Sequence, residues 1–326
     1  MKKIFITGGG GYVGSVLVPF LLNQNYKVSV LDLMIYGEDK LNPHKNLKIY
    51  KGDIRDTNLL KKILPGHDQI IHLACISNDP SFELNPDLGK SINLDSFDPI
   101  VDIAKKSKLK KFIFASSSSV YGLKKEKNVT ENVTLEPLTD YSKYKALCED
   151  ILFNSSTDNF CTTVIRPATV CGYAPRQRLD VVVNILTNLA YHKREITVFG
   201  GKQLRPNIHI KDMARAYLML LETDISNLNK EVFNAGYENH TVNDIAKMVK
   251  EVIGEDVILK IEKTDDNRSY HISSKKIRDK LGFVNKYSIE DAIYDLKVAF
   301  DKKILKDTLS NENYFNIKKM LNIKLI

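Results

Sequence analysis

TGGGGYVGS, residues 7–15, is the stretch on which the fold turns. It follows KKIFIT (2–7), an apolar run that reads as a strand, and it opens VGSVLVPFLLNQ (13–24), which reads as a helix. Gly8, Gly11 and Gly14 fit G-x-x-G-x-x-G, with Tyr12 and Val13 inside the same turn. In a strand–turn–helix setting the first glycine permits a tight turn. The second lets backbone approach a pyrophosphate, the third lets helix and strand pack closely, and the helix start offers N–H donors to phosphate. A glycine run alone is also an ordinary turn; the setting is what points to dinucleotide binding.

Outward from the turn, strand and helix patterns alternate. YKVSVLDL (26–33), LKIYKGD (47–53), QIIHLAC (69–75), KKFIFASS (110–117) and FCTTVIRPAT (160–169) read as strands, with helical patterns at 93–107 and 141–156. Near-continuous apolar strands between helices predict a parallel sheet covered on both faces. That is an α/β fold, a Rossmann doubly wound sheet with ligands at the carboxyl ends of its strands. After residue 170 the pattern loosens. Helices are expected at 178–192, 212–223 and 241–254, and strands at 195–201, 205–210 and 231–236. The expected division is a dinucleotide-binding domain from 1–171 and 205–239, and a smaller, discontinuous mixed substrate-binding lobe from 172–204 and 240–326.

The 326 residues carry a net charge of +8, from lysines scattered along polar faces and densest in KKSKLKK (105–111) and KKEK (124–127). No aromatic interleaving or reader motif accompanies these lysines, so no nucleic-acid partner is expected, whereas a mild positive field suits an anionic substrate. No apolar run reaches the ~18–20 residues of a membrane span. IFI before the glycines is too short for a signal-peptide core of about 7–15 residues, so a cytoplasmic protein is expected. Cys75, Cys148, Cys161 and Cys171 form no C-x-x-C pair, which predicts reduced thiols and no metal site.

Asp32 follows Gly14 by 18 residues, at the end of the second strand. A carboxylate there accepts from both ribose hydroxyls, and no arginine adjoins it in the sequence to bind a 2′-phosphate, which favours NAD over NADP. Asp53, ending the third strand, is a candidate for the adenine or an ordinary turn residue. Tyr-x-x-x-Lys puts a phenol and an ammonium on one helix face, where the cation is expected to lower the phenol's pKa. The spacing occurs at Tyr36/Lys40, Tyr121/Lys125, Tyr141/Lys145 and Tyr314/Lys318. Tyr36 and Tyr121 are expected in glycine-flanked loops and Tyr314 in the terminal tail. Only Tyr141/Lys145 opens a helix just after the fifth strand, as proton transfer beside a nicotinamide requires.

TGGGGYVG, Asp32, Gly52–Asp53, HLA (72–74), SSSSVYG (116–122) and YSKYK (141–145) together resemble the extended short-chain dehydrogenase/reductase family. More narrowly they resemble its NAD-dependent nucleotide-sugar epimerases and dehydratases. RPATVCG (166–172), GGKQLRPNIHIKD (200–212) and FNAG (233–236) extend the likeness over most of the chain. The resemblance implies a catalytic Ser117–Tyr141–Lys145 triad. Where 4,6-dehydratases carry Asp and Glu after the serine, this chain has Ser118 and Ser119. A serine cannot act as a carboxylic acid at neutral pH, so the pattern is closer to UDP-galactose 4-epimerases, and the chain resembles an epimerase or a simple sugar oxidoreductase.

By the same resemblance, NAD is expected against Gly8, Gly11, Tyr12, Val13, Gly14, Asp32, Asp53, Ile54, Leu73, Ala74, Asn93, Ser116, Tyr141, Lys145 and Pro167. A nucleotide-diphosphate sugar is expected against Ser77, Asn78, Ser117, Ser118, Thr169, Arg176, Arg205 and Arg268. Arg205 and Arg268 match the family's diphosphate clamp, and guanidinium suits phosphate by its planar fork. Arg176 and Arg178 can bind phosphate or a sugar substituent, or pair with Asp180 or Glu195. Asn93 can equally be a helix cap. Asp79 is a candidate base in an Asn-Asp-Pro turn. A homodimer through the helices at 93–107 and 141–156 is expected from the family alone.

Overall fold

The computed structural model describes residues 1–126, 128–264, 269 and 271–323. The first half alternates strand and helix: β1 (Lys3–Thr7), α1 (Gly14–Asn23), β2 (Lys27–Asp32), β3 (Leu47–Lys51), α2 (Thr57–Ile63) and β4 (Gln69–His72). Two short helices follow, α3 (Asp79–Glu83) and α4 (Pro86–Lys90), then α5 (Phe97–Lys106), β5 (Lys111–Ala115), α6 (Asp140–Asn154), β6 (Cys161–Pro167) and β7 (Thr169–Cys171). The second half holds α7 (Val182–Lys193), β8 (Glu195–Phe199), β9 (Leu204–His209), α8 (Ile210–Glu222), β10 (Glu231–Ala235) and β11 (Glu238–Thr241). It ends in α9 (Val242–Ile253), β12 (Ile258–Glu262), α10 (Lys275–Leu281), α11 (Ile289–Asp301) and α12 (Asn316–Asn322).

The main sheet has seven strands in the order β10-β6-β5-β4-β1-β2-β3, all parallel. Its order reverses between β1 and β4, which opens a crevice at their carboxyl ends. Side chains alternate between the two faces, as a strand's period of two dictates. Ile4 and Ile6 of β1 and Ile113 of β5 pack with α1 and α8 on one face. Phe5, Phe112 and Phe114 pack with α2, α5 and α6 on the other. The expected Rossmann fold is therefore present, with smaller sheets β11-β9-β7 and β12-β8 beside it. The expected chain division at 171/172 falls at the end of β7, and those at 204/205 and 239/240 fall inside β9 and β11. The small sheet thus joins the two parts of the chain.

Three local readings need correction. The helix expected at 93–107 is a π-helical turn, Ser91–Asp95, followed by α5. The helix expected from 178 begins at Val182, which leaves 174–181 as loop. Tyr121 is no loop residue. It ends a 3-10 turn (Ser118–Tyr121) and is buried, because its hydroxyl donates to Asn234 Oδ1 at 2.7 Å and accepts from Arg166 Nη1 at 2.8 Å.

Candidate active site

A cavity of about 600 Å³ lies at the carboxyl ends of the parallel strands, between the main sheet and the second half of the chain. Its floor is the glycine turn. Gly8 has φ +73°, and a Cβ there would stand 2.6 Å from Ala74 N. At Gly14 a Cβ would collide with the backbone of Gly9, which is what lets α1 close onto the turn. At Gly11, by contrast, only Gly8 O lies within reach, at 3.2 Å, so that side is open to the cavity. The amides of Tyr12 and Val13 donate to no described residue, and both residues line the cavity. Free N–H groups at a helix start suit a pyrophosphate.

Asp32 is fixed by its own neighbours. Its Oδ2 accepts from Gly10 N at 2.9 Å and its Oδ1 from Met34 N at 2.7 Å. Burial pushes its pKa up, against those two amides and the charge of Arg176. The fold therefore supplies beside Asp32 an arginine that the local sequence does not show. Arg176 lies over the Tyr36 ring at 3.5 Å, its backbone N–H donates to Ser15 Oγ, and its Nε is buried with no described partner. It stands on the same side of the cavity as Ser15 and Asp32. The alternative of pairing with Asp180 applies to Arg178, at 2.6 Å, while Glu195 pairs with Lys260.

The wall opposite carries the proposed chemistry. α6 starts at a capping box in which Thr139 and Ser142 exchange bonds, so Tyr141 stands in its first turn, facing the cavity. Thr139 Oγ1 also donates to Asp79 Oδ1 at 2.5 Å, which ties this helix start to the loop after β4. Ser117 Oγ shares a bond with Ser119 Oγ at 2.8 Å, and Ser117 lines the cavity together with Tyr141. Burial pushes the Tyr141 phenol up, helped by Cys75 and Asp79 and opposed by Arg178 and Ser117. The expected lowering by Lys145 is overturned. Its ammonium donates to Ala115 O at 2.7 Å and sits 5.9 Å from the Tyr141 ring centre, and Lys145 is not among the lining residues.

Most other expected residues do line the cavity: Asp53, Ile54, Leu73, Ala74, Ser77, Asn78, Ser116, Ser118, Pro167, Thr169 and Arg205. Asp53 is bound by Arg55 at 2.7 Å; burial raises its pKa, but Arg55 wins and holds it below the ordinary value. Asn78 adopts φ 76° and ψ 153°, a region almost reserved for glycine, and its side chain accepts from Ser81 N as the cap of α3. Ser116 is engaged with Glu149. Asn93 does not reach the cavity and caps no helix: its amide clamps the backbone N–H and C=O of Ile76 at 2.8 and 2.9 Å. Arg268 lies outside the described residues. Tyr36, Cys75, Met213, Tyr217, Asn316 and Met320 line the cavity without any sequence signal having marked them; only the spacing to Lys40 singles out Tyr36.

Comparison with known proteins agrees with this architecture. The model of the NAD dependent epimerase/dehydratase family matches residues 4–236. UDP-glucose 4-epimerase of Lactobacillus helveticus is 28% identical over 315 residues, covering 89% of this chain and 94% of its own. A dTDP-D-glucose 4,6-dehydratase of Dictyostelium discoideum is 30% identical over 273 residues, covering 76% of this chain and 62% of its own. The crystal structure of Thermotoga maritima UDP-glucose 4-epimerase with UDP-glucose superposes with a TM-score of 0.83 at 28% identity, over 93% of this chain and 100% of that one. No helix among the described residues is long and apolar enough to cross a membrane. With the family model spanning most of the chain and the glycine turn, Asp32 and Tyr141 gathered on one cavity, the chain belongs to the NAD-dependent epimerase/dehydratase family of extended short-chain dehydrogenase/reductase enzymes, whose cofactor is NAD.

Proposed function

We propose that the enzyme is a nucleotide-sugar epimerase that inverts C4 through a transient 4-keto sugar. The observation that carries this reading is the pair Ser118 and Ser119, which line the cavity next to Ser117 where water elimination would need carboxyl groups. The orphaned Nε of Arg176, the free amides of Tyr12 and Val13, and Asp32 fit a dinucleotide: amides to its pyrophosphate, guanidinium to its anionic oxygens, carboxylate to a ribose. When bound, NAD supplies the hydride acceptor and donor. The chain's own groups handle the proton. Tyr141 takes it from the C4 hydroxyl and returns it to the same oxygen after the keto sugar has turned its other face to the hydride donor, and Ser117 bonds that oxygen. Burial keeps Tyr141 a neutral phenol at rest, the form that returns a proton; the Arg178 charge and the Ser117 hydroxyl favour the phenolate that removes one. Arg205 and Arg178, both on the cavity wall, suit the diphosphate.

Asp79 supports a second reading, inversion at a carbon next to the ketone. It lines the cavity and lies close enough to Tyr141 to raise its pKa. Incubation with UDP-, GDP-, CDP- and dTDP-hexoses in heavy water separates the two. A stereoisomer without deuterium supports C4 inversion, deuterium incorporation supports Asp79 as base, and a product lighter by one water refutes both. Tyr141→Phe should cut turnover by roughly 10²–10⁴-fold while NAD still binds; unchanged turnover would refute the assignment.

A further inference from the structure

The segment after α11 lies beyond the span of the family match, yet it returns to the cleft. Leu179 N donates to Tyr314 O at 2.8 Å, which brings Asn316 to the cavity wall, where it is 3% exposed. Its backbone N–H donates to Asp180 Oδ2 at 2.7 Å. Its Oδ1 accepts from Arg176 Nη2 at 2.5 Å and from the Tyr36 hydroxyl at 3.1 Å. Its Nδ2 donates to Ser77 Oγ at 2.9 Å. One side-chain amide therefore joins three loops of the cavity: the one after β2, the one after β4 and the one before α7. An amide can do this because it offers an acceptor with two lone pairs and a donor on the same group. Arg176, the buried guanidinium with an unpartnered Nε, is held by it from one side and by the Tyr36 ring from the other.

We infer that Asn316 is a positioning residue for the dinucleotide, and that the segment carrying it is a clasp which must open before the dinucleotide leaves. Asn316 fixes Arg176 and Tyr36 in the pocket wall and pins the Ser77 loop across it. The inference rests on dinucleotide binding alone, not on which sugar reaction follows. Its consequence for that reaction is retention: a clasped dinucleotide is kept to return the hydride it has taken.

The test uses the full chain loaded with NADH. Release is followed by the loss of bound NADH fluorescence when excess NAD is added, so no sugar is involved. Asn316→Leu removes the side-chain bonds to Arg176, Tyr36 and Ser77 and should speed release about tenfold or more, the weight of one hydrogen bond to a charged group. Asn316→Asp keeps the acceptor for Arg176 and Tyr36 and should restore slow release. A folded Asn316→Leu protein that releases NADH at the parent rate overturns the inference. So does an Asn316→Asp protein as fast as the leucine variant. If Asn316→Leu does not fold, Tyr36→Phe decides, since it removes one donor and leaves the clasp's packing: faster release supports the clasp and an unchanged rate overturns it.

Discussion

Arg166 and Arg176 stand ten residues apart and are buried to 4% and 3% exposure, in opposite circumstances. Arg166 lies beneath the cavity with every part of its fork engaged. Glu149 accepts from Nε at 3.0 Å and from Nη2 at 2.5 Å, and the Tyr121 hydroxyl accepts from Nη1. Burial works against its charge, but Glu149 outweighs burial and its pKa is raised. Arg176 lies in the cavity wall with an aromatic ring, one amide and an orphaned Nε; there burial wins and its pKa falls. A buried cation with a complete partner set holds the fold together. A buried cation without one destabilises the chain that carries it, which is the mark of a group kept for a ligand.

The largest effect should come from breaking the satisfied pair. Arg166→Met leaves Glu149 buried without its counter-charge, and denaturant unfolding should show a loss of about 3–5 kcal/mol. Adding Glu149→Leu should recover more than half of it, because the cost lies in the widowed charge rather than in the missing contact. Arg176→Met is the contrasting case. Stability should change by no more than about 1 kcal/mol, while the Kd for NAD, measured by titration calorimetry, should rise about 10–100-fold. If Arg176→Met costs as much stability as Arg166→Met, the division between a structural and a ligand-facing guanidinium fails.

The same contrast explains what the sequence makes legible. The glycine turn, Asp32 and Tyr141 are readable because their spacing is local and the strand or helix that carries them has its own period. Ser117 to Ser119 are readable because they follow directly on a strand. The Arg166 network is half readable. RPATVCG and FNAG stand out as family marks, but only the fold reveals that Arg166 and Asn234 meet Tyr121 beneath the cavity, while Pro167 and Thr169 of the same stretch line it. The clasp is not readable. Asn316 meets Ser77, Arg176 and Tyr36 across 239, 140 and 280 residues, and a lone asparagine carries no spacing at all. The Tyr141–Lys145 spacing is real, yet it does not tell which acceptor the lysine takes. It takes Ala115 O, while burial of the phenol carries the Tyr141 pKa up rather than down.

The smallest effect concerns a third buried group capable of positive charge, His72, which ends β4 beneath the cavity. It is 2% exposed, shares a bond with Thr7 Oγ1 at 2.9 Å, and lies 5.4 to 6.0 Å from the rings of Phe97, Phe112 and Phe114. Unlike Arg166 it has no counter-ion, and unlike Arg176 it can escape the penalty by losing its proton. Burial, with the charge of Lys145, pushes its pKa from 6.5 down to about 3. The native state then stays neutral at His72 to about pH 3, whereas the unfolded chain gains a proton near pH 6.5. Between those values the unfolded state binds more protons, so stability falls as pH falls. The contribution amounts to about 1 kcal/mol between pH 6 and pH 5. His72→Gln removes it, so the variant's unfolding free energy should decline by that much less over the same interval. Parallel pH profiles would mean that His72 is protonated in the folded protein, and that burial in this floor does not force a group to be either paired or neutral.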